Sequence, residues 1–211
     1  MNLRPKLRQP STRLFLGFFA VTLVVSLFLQ GVQILNLIVL GLTLFLALAC
    51  VALIPAARLR SFYRLALWVF LFGFLLNVVY ELLHSVLFNH FYMVEYTYPD
   101  LVSMLFEASV ADGFILLSLL FAVTLARGGR WEWHMPWRWS TVLLTLVLAA
   151  LGQTVGEVIA LETGAWDYTA AMPRLPLLGV GLTPLLQMPL LVLPTFWLAQ
   201  QMVRAAECRK A

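Results

Sequence analysis

The chain has 211 residues, of which 62% are hydrophobic and 11% charged, and its mean hydropathy is +0.91. Soluble domains carry roughly 25% charged residues, so this composition excludes a soluble globular domain and a disordered chain alike. The net charge of +4 does not mark a nucleic-acid binder, because the basic residues fall where a membrane protein needs them.

Apolar runs of about 20 residues can cross about 30 Å of hydrocarbon as helices. Six are present, at about 14–32, 34–57, 63–88, 101–126, 141–161 and 177–203. Lipid is spanned only by helices or closed barrels, and these runs are continuous rather than alternating. The expected fold is therefore an all-α polytopic membrane bundle, one transmembrane domain over residues 1–211 with six spans.

Arg4, Lys6, Arg8 and Arg13 precede the first run. A basic stretch before an apolar run resembles a secretory signal, but Gln30-Gly31-Val32-Gln33 offers no small-x-small cleavage site, so the first helix is expected to be retained. The second run holds Cys50, and Cys208 lies in the tail. Neither has a Cys or His at metal-site spacing, so packing roles are expected and no disulfide.

Arg58, Arg60 and Arg64 lead into the third run, where Asn77, Glu81 and His84 follow an i, i+4, i+7 pattern and share one helix face. A loop around 89–100 holds His90, Tyr92, Tyr96 and Tyr98. The fourth run carries Ser103 and Glu107, a turn apart, and then Asp112, about 140° further round the helix. Arg127, Arg130 and Arg138 follow, with Trp131, Trp133, Trp137 and Trp139 reading as an interfacial belt. On the fifth run Gln153 and Glu157 pair at i, i+4. The loop at 162–176 contains Trp166, Asp167, Tyr168, Arg174 and prolines, a composition suited to folding back as a lid. The sixth run carries Gln187 among Pro184, Pro189 and Pro194, which are expected to kink or interrupt it and free backbone carbonyls. Arg204, Arg209 and Lys210 close the chain. Thirteen of the 14 basic residues thus fall on one side, with Arg174 opposite, which places both termini in the cytoplasm.

Counting along each helix puts Glu81, His84, Glu107, Asp112 and Glu157 toward the outer side, as a single polar pocket opening outward. An acidic group at the centre of a span costs about 2.5–3.5 kcal/mol. The plainer role, hydrogen bonding between helices, is worth only about 0.6 kcal/mol per contact and accounts least well for Asp112, the deepest. Glu81-x-x-His84 matches half of a carboxylate-bridged metal site. No second pair completes it, since His90 and His134 stand in opposite loops. Neither metal nor cofactor is expected. Phosphate-binding glycine loops, paired-cysteine zinc patterns and nucleophile elbows are absent from the sequence.

Tyr80-Glu81 followed by His84, Glu107-x4-Asp112, and Glu162-x-Gly164-x-Trp166-x-Tyr168 running through Met172-Pro173 to Gly179-x-Gly181-Leu182-x-Pro184-Leu185-x-Gln187 resemble an uncharacterised family of small bacterial multipass membrane proteins, over residues 75–197. More distantly, the Trp-x-Tyr loop and the following Gly-Val-x-Leu-x-Pro are similar to the small-helix lycopene cyclases and carotenoid hydratases of bacteria and archaea. In those cyclases the proline precedes paired carboxylates. Here Pro184 precedes Leu185, Leu186 and Gln187, so that acid is not carried over and the proton has to come from elsewhere.

The resemblance implies a cofactor-independent cyclase, isomerase or hydratase in the bacterial cytoplasmic membrane, acting on an isoprenoid, carotenoid-like or other lipid. A desolvated carboxyl group can deliver a proton to an isoprenoid double bond, and aromatic faces stabilise the carbocation. In that reading Glu107 and Asp112 are acid and base, Glu81, His84 and Glu157 assist them, and Asn77, Gln153, Trp166, Tyr168 and Gln187 contact substrate. Two alternatives stand beside it: a proton- or ion-coupled transporter, suggested by intramembrane carboxylates and a proline-broken helix, and an accessory subunit of a membrane complex. The bilayer and a hydrophobic small molecule are the expected partners. Gly152 and Gly156 permit close helix contact within one chain or between copies in a homo-oligomer.

Overall fold

A computed structural model describes residues 4–7, 9–30, 34–88, 98–131, 138–164, 168 and 170–208. Trp166, Asp167, His90, Tyr92, Tyr96, His134, Trp133 and Trp137 lie outside the described residues, as does the side chain of Ser103. The architecture is all-helical: α1 (Arg4–Leu7), α2 (Pro10–Gln30), α3 (Ile34–Leu53), a 3-10 turn (Ala56–Arg58), α4 (Leu59–Phe88), α5 (Tyr98–Ala126), α6 (Trp139–Glu162) and α7 (Leu182–Cys208). Among the described residues, Ala56–His84, Leu105–Ala126, Trp139–Glu162 and Leu182–Cys208 are long and apolar enough to cross a membrane, and Leu37–Leu53 is a shorter apolar helix. These are the properties of a multi-pass membrane protein.

The last helix departs from the expected run. It begins at Leu182 rather than near residue 177, because Gly179 takes a left-handed φ of 66° and turns residues 173–182 into a hairpin. It is also uninterrupted. Pro184 falls in the first turn, where a missing N–H does least harm, while Pro189 and Pro194 sit inside a continuous helix. They remove the donors that would have met the carbonyls of Leu185 and Leu190. The carbonyl of Val180, which Pro184 cannot serve, accepts instead from Leu175 N–H at 2.8 Å.

α4 packs between α5 and α7, with α3 against α5, α6 against α7, and α2 on α4. One end of this bundle is filled by aromatic rings: Phe15 stacks on Tyr63 at 4.5 Å, Phe70 meets Phe114 at 4.9 Å and Phe62 meets Phe121 at 5.7 Å. Interhelical hydroxyl bonds join the same region, Thr12 with Tyr63 at 2.9 Å and Thr43 with Ser118 at 2.7 Å. Beyond the rings α4 and α5 cross closely. A Cβ added to Gly73 would lie 2.8 Å from Leu116 Cδ1 and 3.6 Å from Gly113 Cα, and one added to Gly113 would lie 3.0 Å from the Phe70 ring. Asn77 stands one turn past Gly73 and Asp112 beside Gly113, so this crossing brings two polar groups face to face.

The N-terminal segment is tied down by a single cation. Lys6 Nζ donates to the carbonyls of Val51, Ala52 and Ile54 at 3.1, 2.8 and 2.8 Å, using all three ammonium hydrogens on the exposed acceptors at the C-terminus of α3. Lys6→Met is expected to lower stability by about 1 kcal/mol, read as a reduced midpoint of thermal unfolding in detergent. An unchanged midpoint would mean that water serves those carbonyls equally well.

Candidate functional site

The polar centre lies at the end of the bundle opposite the aromatic rings, where α4, α5 and α7 converge. Its hub is Gln187, buried in the second turn of α7. Gln187 Nε2 lies 2.9 Å from Asn77 Oδ1, 2.9 Å from Glu81 Oε1 and 2.8 Å from Asp112 Oδ2. The i, i+4 spacing of Asn77 and Glu81 puts both on the α4 face that meets α7, and Asp112 enters from α5.

Counting hydrogens shows what this arrangement demands. A primary amide nitrogen has two. Asn77 Nδ2 donates to the Gly73 carbonyl at 2.7 Å, and since a carbonyl only accepts, Asn77 must present its oxygen to Gln187. That interaction takes one hydrogen of Gln187, leaving one for two carboxyl groups. A proton carried by either carboxyl supplies the missing donor. Two buried carboxyl groups with one amide hydrogen between them favour retention of a proton by one of the two, and a group of this kind can act as acid in one state and base in the other.

A second polar knot adjoins the first. On α6, Glu157 Oε1 accepts from Gln153 Nε2 at 3.3 Å, and Glu157 Oε2 accepts a short hydrogen bond from the Tyr168 hydroxyl. Glu157 on α6 thus brings a third carboxyl group near those of Glu81 on α4 and Asp112 on α5. Tyr168 is buried and is held from behind by Arg174, whose Nη2 donates to the Tyr168 carbonyl at 2.7 Å and whose guanidinium lies 5.2 Å from the ring centroid. Tyr168→Phe is expected to remove about 1–2 kcal/mol of stability, because the carboxyl loses its phenol donor. An unaltered unfolding midpoint would show that the phenol is dispensable.

His84 completes the site through Thr183. Its Nε2 lies 2.7 Å from Thr183 Oγ1, and its Nδ1 lies 4.0 Å from Glu81 Oε2. Tyr80 stacks on the imidazole at 5.7 Å and donates its hydroxyl to the Thr183 carbonyl at 2.7 Å. Thr183 Oγ1 also reaches Met172 Sδ at 3.2 Å. Gly181 has no room for a side chain, since a Cβ there would lie 3.1 Å from each of Met172, Pro184 and Tyr168. The strand of chain from Tyr168 to Thr183 is therefore fastened to α6 and α4 directly beside the carboxyl centre.

Of the residues singled out by sequence, Asn77, Glu81, Asp112 and Gln187 meet at one amide, Gln153, Glu157 and Tyr168 form the adjoining knot, and His84 borders Glu81. Glu107 is partly buried on α5; at the hub the carboxyl group that meets Gln187 together with Asp112 is that of Glu81. Trp166 lies outside the described residues. Thr183 and Arg174 are the participants that sequence reasoning missed. Arg174, set apart in sequence from the other basic residues, carried a usable signal, whereas an isolated threonine between Leu182 and Pro184 carried none. No group of three or more metal-ligating side chains occurs among the described residues. No protein-family profile, characterised protein or solved structure matches the chain.

Proposed function

We propose that the chain crosses the bacterial cytoplasmic membrane six times with both termini in the cytoplasm, and that its polar centre is an acid–base site acting on an isoprenoid or other lipid without a cofactor. The observation that carries the reading is the pair of carboxyl groups, Glu81 and Asp112, left with one N–H of Gln187 between them. A site that only braced helices would be served by neutral partners, without the desolvation of acidic groups. Asp112, buried among α4, α5 and α7, is the acid or base that touches substrate, with Glu81 as its proton partner and Gln187 as the donor that orients both. Glu157 and Tyr168 form a second acid pair at the rim. The resemblance to carotenoid cyclases and hydratases points the same way, with the proton supplied by Asp112 and Glu81 instead of carboxylates after Pro184. The test is a comparison of lipid extracts by mass spectrometry from cells with and without the gene; identical extracts remove the reading.

Proton-coupled transport is the second reading, favoured by the same shared hydrogen together with Pro189 and Pro194 inside α7, which loosen the helix that carries Gln187. Uptake into proteoliposomes driven by a pH gradient separates the two, since an enzyme gives a flat response.

A further inference from the structure

Residues 173–182 form a hairpin pinned by backbone hydrogen bonds across its base. Leu182 N–H donates to the Pro173 carbonyl at 2.7 Å, Leu175 N–H to Val180 at 2.8 Å, and Gly179 N–H to Leu175 at 2.9 Å, with Arg174 and Gly181 bridged across it. From Leu175 to Leu182 every residue is Leu, Pro, Gly or Val. Non-helical backbone enters an apolar medium only where its polar groups are met internally; the base of this hairpin is paired in that way, its tip is not, and from Leu175 to Leu182 it presents no polar side chain, a combination suited to the boundary between water and lipid.

Its tip points away from the protein. Leu177 is 98% exposed and Leu178 51%. Leu178, Leu182, Leu186 and Leu190 then follow at four-residue intervals, all exposed, so the tip prolongs the outer stripe of α7, on the side away from its buried residues Gln187, Met188 and Val192. Arg174 at the base of the hairpin is the kind of residue that meets lipid headgroups at a membrane boundary.

We propose that this hairpin is an interfacial anchor: Leu177 and Leu178 enter the boundary between headgroups and acyl chains of the leaflet on that side, and the bound lipid surface steadies the segment that carries Tyr168, Met172 and Thr183 over the carboxyl centre. The proposal rests on the membrane-spanning reading and is independent of whether the centre is an enzyme or a carrier.

The test uses the full chain with Cys208→Ser, leaving only the buried Cys50, and adds Leu177→Cys or, separately, Leu190→Cys. Each is labelled with an environment-sensitive nitrobenzoxadiazole fluorophore and reconstituted into vesicles of phosphatidylcholine and phosphatidylglycerol containing nitroxide-labelled lipid. The expected result is a blue-shifted Leu177→Cys label, quenched by nitroxide held near the acyl carbonyls and shielded from aqueous iodide, with native Cys208 in the parent chain as the water-exposed reference. Quenching by iodide but not by lipid nitroxide overturns the proposal. Shielding from both also overturns it, in favour of a protein surface covering the tip. The Leu190→Cys label separates the two levels of the argument. If lipid nitroxide quenches it while Leu177→Cys stays insensitive, only the anchor fails; if neither responds, the membrane-spanning reading fails as well.

Discussion

Asp112→Asn is expected to abolish the proposed lipid chemistry while leaving the protein folded. The substitution keeps the volume and the oxygen that faces Gln187, and it ends the competition of two carboxyl groups for one amide hydrogen. What disappears is the exchangeable proton. Removing a positioned acid or base lowers the rate by about a hundred- to ten-thousand-fold, so the lipid product should vanish from extracts of cells expressing the variant, although the purified protein unfolds at an unchanged or higher temperature. A variant that is stable and still produces the wild-type lipid profile would remove Asp112 from the chemistry. The same substitution separates the readings for transport, because a proton-coupled carrier would lose uptake driven by a pH gradient while cellular lipids stayed constant.

Gln187→Leu is expected to have the largest effect on stability. Leucine fills nearly the same space but withdraws both hydrogens from a buried set of three acceptors, the Asn77 amide oxygen and the carboxyl groups of Glu81 and Asp112. Removing one partner of a buried charged network costs about 3–5 kcal/mol, enough to lower the yield of monodisperse protein in mild detergent and its thermal midpoint. Replacing all partners together costs far less than orphaning some of them. Adding Glu81→Leu to Gln187→Leu should therefore recover part of the loss. A single Gln187→Leu variant as stable as the parent would show that the carboxyl groups draw their donors from elsewhere.

The helices were legible because each is an unbroken apolar run bounded by basic, proline-rich or aromatic segments, and the faces followed from spacing within a helix. Asn77 and Glu81 sit together on one side of α4, as i, i+4 requires. Pairings between helices were less accessible. Glu107 and Asp112 stand about 140° apart on α5, and that spacing alone does not say that Asp112 meets Glu81 of α4 at the amide of Gln187. The rotation of α5 is set by its close crossing with α4 at Gly73 and Gly113, a contact that hydrophobic periodicity does not encode in a helix buried on most sides. Residues 177–182 read as the start of a helix because none of their side chains is polar. Its hairpin depends on the positive φ of Gly179, which an apolar run conceals, and the role of Thr183 follows from that turn.

The grip of Lys6 on the far end of α3 bears on how the molecule is assembled. The three carbonyls it serves belong to residues translated more than forty positions later, so the amino terminus can be fastened only after the whole of α2 and α3 has been made. Closure of that clasp therefore follows synthesis of both helices and requires the end of α3 to have come back beside the start of the chain.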